Sequence, residues 1–233
     1  MPVGIITNVT VTFLGGIAGA FLGKKLSERY KIMLNNILGI AAIVMGIFLI
    51  MKVKNLSAAV LSLILGAVLG EMVQLEKWIN QGALKVASRL VNNKAVNEEY
   101  LMKISSALVL FCCGGTGWYG AFNEGLTGDG SILITKGILD FITACIFAAI
   151  LGKVVLTLCV PQIGVYFILY YVSSFVASYV TPDMISDFSA VGGMVTLVAG
   201  LRLAGIKTDI KTLNLLPALV LSFFISALWN SIF

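Results

Sequence analysis

Lys136 and Asp140 are the residues with the clearest capacity for chemistry. They stand four apart in the run SILITKGILDFITACIFAAIL, so on a helix they share one face. Charged groups in an apolar span are costly and tend to pair, and they mark ion or substrate paths by default. Asp140 is the deeper of the two and the candidate for a protonatable or cation-coordinating group. The competing reading is a self-neutralising pair that fixes helix packing. Just upstream, Gly114, Gly115, Thr116 and Gly117 interrupt an apolar segment. Glycine runs weaken helices, and irregular backbone at membrane depth survives only where protein or a wet cavity satisfies it. Either a broken helix offers its amides and carbonyls to an ion or solute, or small residues allow a tight helix crossing. Asn123, Glu124, Asp129 and Ser131 form the polar connection between the two segments. Asp129 and Ser131 sit where the N-cap of the second helix belongs, and that helix end is electropositive enough to face an anion. Asn8, near the start of the first apolar run, either caps that helix or faces a cavity.

The frame around these residues is a membrane protein. The 233 residues are 59% apolar and 12% charged, with mean hydropathy +1.00; soluble domains carry about 25% charged residues. Apolar runs of span length fill the chain, which reads as a single membrane domain over 1–233 in contact with the lipid bilayer. Eight spans are expected, near 5–23, 34–51, 56–70, 104–122, 131–151, 163–179, 189–203 and 213–229, with TPDMISD, residues 181–187, as a turn with two acids. Residues 73–91 carry Leu75, Trp78, Ile79, Gly82, Val86 and Leu90 at helical spacing among charges, an amphipathic helix for the interface. With its cytoplasmic linker it occupies 73–103. The start MPVGIITN lacks the basic region of a cleavable leader, so the first span is expected to be retained.

Net charge is +5. In a membrane chain this reflects the positive-inside rule, and no aromatic-plus-basic surface points to nucleic acid. Placing the loop after span 1 in the cytoplasm puts 13 of the 16 basic residues there and leaves Lys52, Lys54 and Lys136. Both termini are then outside, and Glu124, Asp129, Asp183 and Asp187 fall on the outer side. There is no histidine, which removes Ser-His and Cys-His catalysis. Cys112, Cys113, Cys145 and Cys159 lie in apolar segments without CxxC spacing and read as packing residues. No cofactor, no metal site and no enzymatic activity are expected.

A shift of 154 residues aligns Val11 with Val165, Phe13 with Phe167, Phe21 with Phe175, Gly39 with Gly193, Gly46 with Gly200 and Leu65 with Leu219, without a gap. It maps spans 1–3 (5–70) onto spans 6–8 (160–229). Five spans of offset is an odd number, so the two units would be inverted, as in many transporters. Spans 4 and 5 (104–152) are then a central hairpin without a mate. The fold class is all-α integral membrane: about eight transmembrane helices, two inverted three-helix repeats flanking that hairpin. Glycines four or seven apart in spans 1 and 2 form close-packing faces, which suit a homodimer and packing within one chain equally.

The strings GLTGDGSILITKGILD, SAVGGMVTLVAGLRLAGIK and NLLPALV, with the GIITN start and the GAVLGE end of span 3, resemble the YdfK/YqgA-type family of bacterial inner-membrane proteins of unknown function. The resemblance implies a multi-span protein of the bacterial inner membrane and supplies no substrate. Two functions stand on the residues: a transporter or channel for an ion or small solute with the span 4–5 hairpin as its binding element, or a non-transporting scaffold or regulatory protein in which Lys136–Asp140 is structural.

Overall fold

Helix dictates the architecture, because a chain in hydrocarbon must satisfy every backbone polar group internally. The computed structural model describes residues 1–22, 28–91, 98–206 and 209–232. Lys24, Lys25, Lys94 and Lys207, which the charge count uses, lie outside them, as does Gly23 of the first glycine face.

The helices are α1 (Val3–Leu22), α2 (Glu28–Ile50), α3 (Leu56–Met72), α4 (Leu75–Leu90), α5 (Glu98–Cys113), α6 (Gly115–Thr127), α7 (Ser131–Leu151), α8 (Val154–Thr157), α9 (Cys159–Val176), α10 (Pro182–Leu203) and α11 (Leu216–Ile232). Among the described residues seven stretches are long and apolar enough to cross a membrane, and α3 with α4 forms a bent pair that counts as an eighth if it is one span. Phe21, Phe175, Val160 and Phe224 are largely exposed. Such an apolar exterior suits lipid rather than water.

The chain divides into two compact units, neither continuous in sequence: residues 1–35 with 78–173, and 36–77 with 174–233. Each draws on both of the segments that the 154-residue shift relates.

In the first unit α1 runs alongside α7. A Cβ on Gly4 would meet Gly130, one on Gly15 would strike the Phe141 carbonyl, and one on Gly19 the Cys145 carbonyl. Both sets of numbers rise together, so the two helices are parallel, and two glycines one turn apart bring their backbones into contact. Behind α7, Ala83 and Ala87 of α4 are buried in a cluster with Ile104, Leu108 and Phe111 of α5 and Ala144, Ala148 and Leu151 of α7. Trp78 of α4 stays exposed. Gly128 ends α6 with φ 76° and returns its N–H to the Glu124 carbonyl, a left-handed stop that favours glycine.

In the second unit α2 crosses α10 and α3 packs along α11. Cβ atoms at Gly46 and Gly193 would each collide with the other's carbonyl oxygen, at 2.7 and 2.5 Å, and one at Gly200 would lie 2.9 Å from the Gly39 carbonyl. Gly66 faces Ala218 and Gly70 faces Asn214. Numbers rise on one helix as they fall on the other, so both pairs are antiparallel. The glycine faces are thus occupied within the chain.

Two of the departures from the expected limits bring acidic residues into helices. α10 begins at Pro182, where a turn over 181–187 was expected. Thr181 caps it by accepting the Met184 N–H at 3.3 Å, and proline at N1 lacks the N–H that would otherwise need a partner. α6 runs to Thr127 and carries Glu124 within the helix rather than in the connection.

Overpacking a helix crossing costs about 1–3 kcal/mol. Gly15→Ala and Gly19→Ala are therefore expected each to lower the unfolding midpoint in detergent. Gly82→Ala and Gly164→Ala, where a Cβ meets nothing within 4 Å, should leave it unchanged or raised.

A buried carboxylate centre in the first unit

Asp140 lies near the middle of α7, a 21-residue helix. Its Oδ2 accepts from three side chains on three helices: Lys136 Nζ one turn back on α7, Asn8 Nδ2 of α1 at 3.0 Å, and Gln162 Nε2 of α9 at 3.4 Å. The same Gln162 nitrogen donates to Asn8 Oδ1 at 3.0 Å, and Asn8 Nδ2 also reaches the Leu133 carbonyl at 3.2 Å. All four residues are buried, Asp140 being only 6% exposed. An isolated carboxylate here would cost several kcal/mol; a cation and two amides offset that.

The glycine interruption borders the same centre. α5 ends at Cys113 and α6 starts after Gly114, so carbonyls near the end of α5 lose their helical partners. Two of them have substitutes: Phe111 accepts from the Tyr166 hydroxyl of α9 at 2.8 Å, and Cys112 from Trp118 Nε1 at 3.0 Å. A Cβ on Gly117 would occupy the place of the Tyr166 hydroxyl, which is why glycine stands there. The Lys136 ammonium lies 5.9 Å from the centre of the Tyr166 ring, at the outer reach of a cation–π contact. Gly115 and Thr116 are buried in the first turn of α6.

Asn8, Lys136 and Asp140 thus come together, with Gly114–Gly117 beside them. Glu124 does not join them. It is 1% exposed, and its two oxygens accept the Gly4 and Ile5 N–H groups at 2.6 and 3.0 Å. A carboxylate there satisfies the open end of α1 and complements its dipole. Asn123, Asp129 and Ser131 build the α6–α7 turn: Asn123 Nδ2 donates to the Asp129 carbonyl at 3.3 Å, and Asp129 Oδ1 accepts the Ser131 N–H at 2.9 Å. The N-cap of α7 is Gly130, with no side-chain cap, so Asp129 meets the first N–H of the helix from one residue outside it.

Sequence reasoning missed Gln162 and Tyr166. The signal was available, since the 154-residue shift that aligns the glycines sets Asn8 opposite Gln162, and Tyr166 lies one turn further on the same face. Two other acids anchor clusters in the second unit, Asp187 buried and Glu71 exposed. Asp187 accepts the Lys54 and Asn55 N–H groups at 3.1 and 2.7 Å and the Ser226 hydroxyl at 2.6 Å. Glu71 accepts Lys211 at 2.5 Å and Asn214 at 2.6 Å. Both tie a helix end to a neighbouring helix.

Tyr166→Phe deletes only a hydroxyl and leaves a buried carbonyl unpaired, which costs about 1–3 kcal/mol. Gly117→Ala expels the same hydroxyl. Each variant should lower the unfolding midpoint, and the double variant should fall well short of additivity.

The comparisons agree with a membrane protein. The family model described as "Protein of unknown function (DUF554)" matches residues 3–227. The chain is 41% identical over 235 residues to "Uncharacterized protein YqgA" of Escherichia coli (strain K12), covering 100% of both chains. It is 31% identical over 222 residues to "Uncharacterized membrane protein YdfK" of Bacillus subtilis (strain 168), covering 94% of this chain and 93% of the relative. No solved structure matches it. Matched over nearly its whole length, the chain belongs to the DUF554 family of proteins of unknown function.

Proposed function

We propose that this membrane protein is a multi-pass transporter or channel for an ion or small solute, with the α5–α6–α7 hairpin as its binding and permeation element. One observation carries the proposal: side chains from three helices converge on one carboxylate oxygen half-way along a membrane span. A packing role alone does not need so polar a centre, because apolar residues of similar volume serve as well or better. Intramembrane charges that persist mark functional paths.

Two further observations support an inverted-repeat frame of eight spans. Asn8 and Gln162, hydrogen-bonded to each other, are 154 residues apart. The close approaches Gly46–Gly193 and Gly39–Gly200 exchange under the same shift, and α2 and α3 run antiparallel to the helices they would be mates of. The parallel run of α1 and α7 requires an odd number of crossings between them, which α2, α3 and the α5–α6 span supply. On this reading the protein sits in the bacterial inner membrane, as the family resemblance implies, and the charge count favours both termini outside. We read it as a carrier or pore rather than an enzyme.

The alternative is a scaffold with a structural Lys136–Asp140 pair. What favours it is the capping of the Phe111 and Cys112 carbonyls by Tyr166 and Trp118, which leaves those two groups unavailable to a solute.

Water access decides between the two. Single cysteines at positions 114–117 and 133–140, in a background without the four native cysteines, are expected to react with a membrane-impermeant thiol reagent from at least one side. Complete protection from both sides would rule out permeation through the hairpin and favour the scaffold.

A further inference from the structure

We propose that the Asp140 carboxylate and the amide oxygens of Asn8 and Gln162 form a binding site for a small monovalent metal cation, for which the Lys136 ammonium substitutes. The inference deepens the transport reading, and rests on it only for the purpose of the site.

The observation that points to a missing ligand is Gln162. Its side chain is fully buried, its Nε2 is engaged with Asn8 and Asp140, and its Oε1 has no hydrogen-bond partner. A buried amide oxygen without a donor asks for one. A half-turn of the amide about its last bond brings Oε1 to the place of Nε2, 3.0 Å from Asn8 Oδ1 and 3.4 Å from Asp140 Oδ2. Three oxygens around one point repel each other unless a cation sits among them. Amide orientation follows whichever network is present, so the same residues serve an empty and an occupied state.

The donor set selects the ion. Carboxylate and amide oxygens are hard ligands, suited to hard cations. One carboxylate neutralises a single positive charge, so a monovalent metal balances it only as Lys136 releases its proton or withdraws toward water, and a divalent ion would leave excess charge even then. Lys136 donates to the same Oδ2 that the metal would use, so ammonium and metal compete. The groups that couple electrostatically to Asp140 are Lys136 on its own helix, Tyr166 and Cys159 on α9 and Cys112 on α5. Lys136 is the cation of that set, and the remainder are neutral when protonated. Asn8 and Gln162 occupy equivalent places under the 154-residue shift, so each segment contributes one amide oxygen.

The test uses the purified full-length protein in detergent, in choline chloride at constant ionic strength. Sodium, lithium or potassium replaces choline while the unfolding midpoint is followed. The expected result is a saturable rise with at least one alkali metal ion at fixed chloride. Gln162→Leu, which changes no charge, should abolish that rise while the protein stays folded. Lys136→Met should lower the half-saturating concentration about tenfold, equivalent to about 1.4 kcal/mol. Identical midpoints in all four salts would overturn the proposal. So would an unchanged metal response in Gln162→Leu, or a half-saturation indifferent to Lys136. A saturable response together with full thiol protection of the hairpin would keep the site and remove transport. Thiol access without any ion response would do the reverse.

Discussion

A single carboxylate oxygen inside a membrane span sets the terms for the first unit. Asp140 Oδ2 cannot stay charged in low dielectric without compensation, and Lys136 supplies charge from the same helix. The ammonium alone does not saturate the oxygen, so amides must arrive from elsewhere. Asn8 reaches it because Gly15 and Gly19 let α1 lie against the backbone of α7. Gln162 reaches it from the first turn of α9. Electrostatics at one atom thus explain why the packing face of α1 is glycine, why a polar residue stands near its start, and why α9 carries a buried amide in its first turn.

The acids of this protein divide by what they satisfy. Glu124 and Asp187 are as buried as Asp140, yet each accepts two backbone amides at a helix start, Gly4 and Ile5 for one, Lys54 and Asn55 for the other, the second Asp187 oxygen taking the Asn55 and Ser226 side chains. Such groups complete a helix end and have a sufficient structural reason to be there. Asp140 has no helix end to cap. Its partners are all side chains, which is what the proposed exchange of ligands requires. The break at Gly114 has the same need for partners: carbonyls released from α5 are recovered by Tyr166 and Trp118.

Much of this was legible in the sequence. Hydropathy located the spans, because a bilayer demands long apolar helices whatever their packing. The glycine spacings identified the close-packing faces, and Lys136 and Asp140 stood out by charge alone. Glu124 read as part of an acidic, glycine-rich connection. It is helical and inside because the start of α1 needs an anion, a tertiary demand that local composition does not carry. Pro182 read as a turn for a related reason, since Thr-Pro both breaks one helix and opens the next. Gln162 and Tyr166 escaped notice because one amide and one phenol look ordinary near the end of a span. Their meaning lies in the residues they face, and only the shift that pairs Asn8 with Gln162 exposes it.

The central claim is that the Asp140 centre works as an exchangeable ion site rather than as a fixed pair. Current on a solid-supported membrane loaded with proteoliposomes tests it most directly, because charge movement into a buried site registers even without net transport. A concentration jump of an alkali metal ion is predicted to evoke a transient current from the native protein and none from a correctly folded Asp140→Asn protein. Equal responses from the two, or no response from the native protein, would contradict the account.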